Sequence, residues 1–356
     1  MRKLIVLAVC ACALAVAGVG QAATWQVAAG EQARPPAGTP KGTTLDAFFP
    51  SKLVINAGDS VVFSSATFHT VTYTGGKAPA SLFIPDPAKG MYTGLNDAAG
   101  TPFYFNGLPK LIYNPAAFAP AGGKTITKGV PASSGVMSPN GPKAPPAKAT
   151  YTFPKAGSFN LICNVHPGMQ IGVTVKPAGA PAPLSPSQVT AKSLTDVAAA
   201  WKKATPLANA PVPPNTVYAG VGSTTAILGF FPRVLKVKAG TTVTFLNRSP
   251  SEVHNVAFGP AKYLLAFSKK TDLLPQGPTS PNQVTPLYPF GTEPKDGYTY
   301  DGTNHGNGFL STPLTAGSPK VPLPKAAKVT FTKAGTYKYI CFLHGSDMAG
   351  TVVVTP

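Results

Sequence analysis

The chain repeats itself, and the repeat fixes most of what it can become. Residues Phe48 to Phe63 read F-F-P-S-K-L-V-I-N-A-G-D-S-V-V-F, and Phe230 to Phe245 read F-F-P-R-V-L-K-V-K-A-G-T-T-V-T-F. Leu53, Ile55, Val61 and Phe63 of the first copy coincide with Leu235, Val237, Val243 and Phe245 of the second. In each copy apolar residues alternate on both sides of an Ala-Gly pair, the pattern of two half-buried strands joined by a tight turn. A second anchor follows: T-F-P-K-A-G-S-F-N-L-I-C ends at Cys163, and T-F-T-K-A-G-T-Y-K-Y-I-C ends at Cys341. A weaker third sets Gly135-Val136-Met137-Ser138 against Gly308-Phe309-Leu310-Ser311. The order is the same in both copies, so the chain is two homologous halves.

A length of 356 residues is enough for two ordinary domains. The 40 Pro and 36 Gly, with only 12% charged residues, argue against long solvated helices and suit short strands separated by turns. The expected fold is all-β, two tandem Greek-key sandwiches. The first spans residues 23–177 and the second 215–356, with a Pro/Ala-rich linker at 178–214. The linker carries one short helix. Ser185 caps it, Pro186 takes its first position and Gln188 completes a capping box, while Leu194, Val197 and Trp201 form its apolar stripe.

Residues 1–22 read as a secretory signal. Arg2 and Lys3 precede an apolar run from Leu4 to Val19, and Gly20 and Ala22 flank a cleavage position. The expected location is periplasmic or extracellular, with no transmembrane segment after signal removal. Cys10 follows only a very short apolar stretch, which favours soluble export over a lipid anchor. Cys10 and Cys12 leave with the signal, so the mature chain keeps Cys163 and Cys341. A disulfide is the ordinary fate of two cysteines in an exported chain, but these two hold equivalent places in separate domains. The net charge of +18 favours acidic partners. Lysines are spread thinly and no aromatic-basic motif appears, so nucleic acid is not expected.

Four of the five histidines fall at repeated positions. His69 and His254 each follow the second strand of their repeat. His166 and His344 each lie three residues after a cysteine. A methionine follows in both: Cys163-Asn164-Val165-His166-Pro167-Gly168-Met169 and Cys341-Phe342-Leu343-His344-Gly345-Ser346-Asp347-Met348. One thiolate, two imidazoles and a weak axial thioether are the donor set that suits blue copper. Zinc fits less well, since its structural sites take four Cys or His ligands and have no use for Met. A catalytic Cys-His pair predicts neither the Met nor the duplication. His305 has no mate and reads as a surface loop residue.

The stretch Lys-Ala-Gly-x-(Phe/Tyr)-x-x-Ile-Cys-x-x-His, followed by a closing strand with Val-x-Val (Val173 and Val175, Val352 and Val354), resembles the cupredoxin family of plastocyanins, amicyanins and pseudoazurins. His166-Pro167-Gly168-Met169 is similar to the short amicyanin-type loop. The resemblance implies one type 1 copper per domain, held by His69, Cys163, His166 and Met169 and by His254, Cys341, His344 and Met348. It implies a single-electron carrier in the periplasm or outside the cell; the basic surface points to an acidic redox partner such as a cytochrome, and no enzyme activity is expected. The resemblance gives Asn255 a supporting hydrogen bond near the cysteine sulfur, where the first half has Thr70. The second loop departs from the pattern, with four residues from His344 to Met348 and Gly345 in place of Pro167.

An alternative is a copper-binding protein for storage, delivery or tolerance, although no exposed Met- or His-rich tract is present. Multicopper oxidases and copper nitrite reductases share this architecture but need further histidines, often as His-x-His, which this chain lacks. The stretches Gly75 to Ala147 and Pro260 to Val321 exceed what small cupredoxins use. They read as loops that cover the sites, shape a docking face or join the domains.

Overall fold

A computed structural model describes residues 22–88, 90–139, 144–271, 286–287, 291 and 297–356, without the side chains of 267–271 and 286–287. The signal sequence, Cys10 and Cys12 lie outside the described residues except for Ala22. No helix among the described residues is long and apolar enough to cross a membrane.

The first half is a sandwich of two sheets. One orders its strands 147–152, 60–65, 24–29 and 48–49; the other runs 52–56, 170–176, 157–162, 69–73, 132–137 and 120–121. The second half repeats the plan, with 225–231, 216–222, 241–248, 326–331 and 298–300 facing 234–238, 345–355, 335–341, 257–258 and 310–311. In both halves the first strand of the sandwich runs parallel to the second repeat strand, Val27 beside Phe63 and Val217 beside Phe245.

The alternation seen in the sequence is the inward face. Leu53, Ile55, Val61 and Phe63 are buried, as are Val237, Val243 and Phe245, while Leu235 packs partly buried against the second core. Withdrawing a side chain such as Phe63 or Phe245 from water contributes about 1.5–3 kcal/mol. Ala-Gly turns join the strands, with Gly58 at φ 96° and Gly240 at φ 85°, which L-residues with a Cβ rarely adopt. The closing strands bury Val173, Val175, Val352 and Val354.

The third sequence anchor is out of register. Thr72 stands opposite Ser133 and Ala257 opposite Ser311. The Val71 amide donates to Ser134 Oγ at 2.8 Å, and the Val256 amide donates to Thr312 Oγ1 at 3.0 Å. The true equivalents are therefore Ser133-Ser134 and Ser311-Thr312. The similar tetrapeptides concealed this because the loops before them differ in length.

The linker helix runs Pro186–Trp201, and a second turn of helix follows at Ala204–Ala208. The capping box forms as expected. Its buried face is Val189, Ser193, Ala200 and Trp201, with Val197 partly buried, while Leu194 is 62% exposed. The expected stripe is rotated because the helix lies on Ala28, Leu45 and Phe49 of the first half. Ser193 Oγ donates to the Phe49 carbonyl at 2.6 Å, and Thr225 Oγ1 of the second half donates to Ala200 at 2.7 Å.

The halves interlock elsewhere too. Strand Thr43–Leu45 pairs with Thr225–Ile227, extending the second sandwich with residues from the first. Within the long insertions, Tyr92, Leu95, Phe103 and Phe105 form one buried cluster with Ala257, Leu264, Phe309 and Phe342. Of the three roles open to the insertions, these residues serve to join the halves. Leu264 belongs to a helix, Ala261–Thr271, in a stretch expected to be loop. His305 is no free surface residue: its ring stacks on Phe103, with centroids 5.1 Å apart, and Nδ1 lies 3.2 Å from Asp97 Oδ2.

Candidate metal centres

Each site assembles where two strands end at the same edge of a sandwich. His69 opens strand His69–Tyr73, and Cys163 follows strand Gly157–Ile162, which pairs with it through Leu161 and Tyr73. The chain then turns tightly. The Met169 amide donates to the His166 carbonyl at 3.1 Å, and the Cys163 amide donates to the Met169 carbonyl at 2.9 Å. These two bonds fold His166 back toward Cys163. The result is a triangle of donors: Nδ1 of His69 and Nδ1 of His166 are 2.9 Å apart, and Cys163 Sγ lies 3.9 and 3.5 Å from them.

The second half builds the same triangle. Nδ1 of His254 and Nδ1 of His344 are 3.2 Å apart, and Cys341 Sγ lies 4.0 and 3.4 Å from them. A trigonal centre with bonds of about 2.0–2.3 Å separates its donors by roughly 3.5 Å, so both triangles fit one ion of that size. All six donor residues are buried except His344, which is partly so. Neither cysteine is in a disulfide.

Met169 and Met348 are both buried, each in the same apolar cluster as its cysteine. Their settings differ. Met169 stands opposite Cys163 in a tight loop. Met348 lies in a bulge, since Cys341 pairs with Gly345 while the preceding Ile340 pairs with Ala349. The bulge absorbs the extra residue between His344 and Met348.

Support around the cysteines is also repeated. Thr70 Oγ1 accepts the Asn164 amide at 2.8 Å, and Asn255 Oδ1 accepts the Phe342 amide at 2.9 Å. Thr70 and Asn255 thus do the same work: each secures the residue after its cysteine. The Thr70 amide also donates to Cys163 Sγ at 3.3 Å.

The electrostatics favour thiolate and imidazolium in the metal-free protein. Burial opposes ionisation of Cys163, but the His166 and His69 rings overcome it and hold the thiol well below its ordinary value. Burial likewise opposes ionisation of Cys341, and His344 and His254 bring the thiol down to about 5. His344 rises to about 10 against its own burial, because Cys341 and Glu252 favour the cation.

Several residues at these sites were not legible as candidates. Gly30 and Gly220, at φ 72° and 70°, sit against the Nε2 atoms of His69 and His254. Glu31 Oε2 lies 3.6 Å from His69 Nε2. Glu252 touches both sites: Oε1 is 3.2 Å from His166 Nε2, and Oε2 is 3.6 Å from His344 Nε2. Asp46, bonded to Ser251 Oγ at 2.6 Å, completes a buried group with His166 and Glu252. The available signal was scarcity. The chain has only 12 acidic residues, and these three are all buried beside site histidines.

No protein-family model and no curated protein matches the chain. Similar solved structures include a Cu(I) amicyanin with a methionine replaced, at 23% identity and TM-score 0.23. Another is an oxidised amicyanin variant, at 23% identity and TM-score 0.22. Each match covers 42% of this chain and 89% of the amicyanin. By its own strand order and the placing of its two His-Cys-His triangles, the fold is cupredoxin-like.

Proposed function

We propose that this chain is an exported copper protein that carries single electrons through one type 1 copper in each domain, without catalysing a reaction of its own. The observation that carries the reading is the pair of matching buried triangles, each of one thiolate and two imidazole nitrogens. His69, Cys163 and His166 would hold the first ion and His254, Cys341 and His344 the second, with the buried thioethers of Met169 and Met348 as further donors. Bound there, copper supplies a centre that gains or loses one electron.

The chain's own residues supply rigidity and dryness. The donors stand on paired strands and a hydrogen-bonded turn, which hold them in place, so little rearrangement would be asked of them when the ion's charge changes. Burial excludes water from the thiolate. Without Arg2 and Lys3 of the signal the formal net charge is +16 (28 basic minus 12 acidic residues), which favours an acidic redox partner whose association would weaken with salt.

The test is the visible spectrum of the purified protein with Cu(II), together with copper per chain. An intense blue band that bleaches on reduction, with two coppers, supports the reading. Copper bound without the band points to storage or delivery instead.

A further inference from the structure

The two sites are not independent. Glu252 belongs to the second half, two residues before His254, yet its carboxylate reaches the outer nitrogen of one histidine from each triangle. It is buried, as is Asp46, which packs beside it through Ser251. His166 and His344 are the histidines of the two Cys-x-x-His loops, so the two loops face each other across one side chain. The approach is held from outside by strand Thr43–Leu45, by the linker helix and by the cluster around Phe103 and Phe342.

The four site histidines also differ in access. The side chain of His344 is 18% exposed against 10% for His166, while His69 and His254 are essentially sealed. The outer nitrogen of His166 is covered by Glu252 of the second half, in a buried group that includes Asp46.

We propose that Glu252 couples the sites into an internal relay, in which electrons enter at His344 and reach the first site through Glu252 and His166. This rests on the copper reading above. An external one-electron donor reduces the second site. That site then passes its electron to the first, becoming oxidised again as the first is reduced, with no bond made or broken and no net proton moved. The carboxylate suits this because its two oxygens each face one imidazole nitrogen, at 3.2 and 3.6 Å, and its charge acts on both rings at once. An amide has one oxygen and no charge, and can keep only one of the two contacts.

The experiment uses the full chain loaded with copper. Copper content and the blue band are recorded first; their absence would sink the copper reading and the relay together. Bleaching by ascorbate is then followed by stopped flow for the unaltered protein, Cys341→Ala, Glu252→Gln and Asp97→Asn. In Cys341→Ala the remaining copper should bleach far more slowly than in the two-copper protein. In Glu252→Gln half of the amplitude should leave the fast phase. Asp97→Asn weakens an interface contact that does not involve Glu252 and should bleach as the unaltered protein does. Independently of rates, among the imidazole Nε2–H signals of the Cu(I) protein in its 15N–1H spectrum, the two from His166 and His344 should exchange slowly, and one of these two should be lost or displaced in Glu252→Gln. Blue protein whose first site bleaches as fast in Cys341→Ala as in the unaltered chain would overturn the relay. So would two unmoved imidazole signals in Glu252→Gln.

Discussion

Gly30 leaves no room for a side chain because Nε2 of His69 occupies the space where its Cβ would lie. Gly220 and His254 stand in the same relation in the second half. Both glycines have positive φ, so a substitution meets backbone strain as well as the ring. Strain of this kind is worth about 1–3 kcal/mol. Gly30→Ala should therefore push His69 out of its triangle, remove the first copper and lower the melting temperature of the metal-free protein. Gly220→Ala should do the same at the second site. Copper per chain reads the outcome, and a Gly30→Ala protein with two coppers and full blue colour would show that the glycine is not needed.

The thiolates are the donors with no substitute nearby. Cys163→Ala and Cys341→Ala should each leave one copper and a diminished blue band, and the double variant should be colourless. A single variant that keeps the whole signal would remove the assignment for that domain.

Much of this was legible from residue spacing. His69, Cys163, His166 and their counterparts stand at repeated intervals, and local turns bring Cys and His together within three residues. The strands were legible because Leu53, Ile55, Val61 and Phe63 alternate. What escaped was decided across the fold. Gly30 meets His69 only because strand 24–29 lies parallel to 60–65. Glu252 has no repeat partner to draw attention to it, since Thr67 holds the matching place before His69. The helix face was misjudged at Leu194, which is 62% exposed, because the linker helix answers to Ala28, Leu45 and Phe49 rather than to its own apolar count.

The Phe103 cluster should determine whether the halves unfold together. Phe103 is buried against Phe105, Phe309 and His305, drawing residues from both halves. Phe103→Ala removes a side chain whose truncation in a core is worth about 3–5 kcal/mol. Because it joins the two cores, the variant should split thermal unfolding into two calorimetric transitions, or widen an existing separation. An unchanged calorimetric profile would mean that strand Thr43–Leu45 and the linker helix hold the halves together unaided.

The metal-free protein should show a stability plateau set by the pair Cys341 and His344. The cysteine's folded value, about 5, lies below the ordinary 9.0 of its thiol. Between those limits the unfolded chain binds the extra proton, so stability rises with pH, and the contribution is lost as pH falls through 5. The histidine's folded value, about 10, lies above its ordinary 6.5. Between those limits the folded chain binds the extra proton, so stability falls with pH, and the contribution is gone once pH passes 10. The two slopes oppose each other between 6.5 and 9, which leaves a plateau there with a decline toward 5 on one side and toward 10 on the other. Melting temperature against pH, measured for the metal-free chain and for Cys341→Ser, isolates the pair as the difference between the curves. A difference that keeps rising from 6.5 to 9 would mean that His344 is not held as the cation. One that stays flat from 5 to 6.5 would mean that Cys341 is not held as the thiolate.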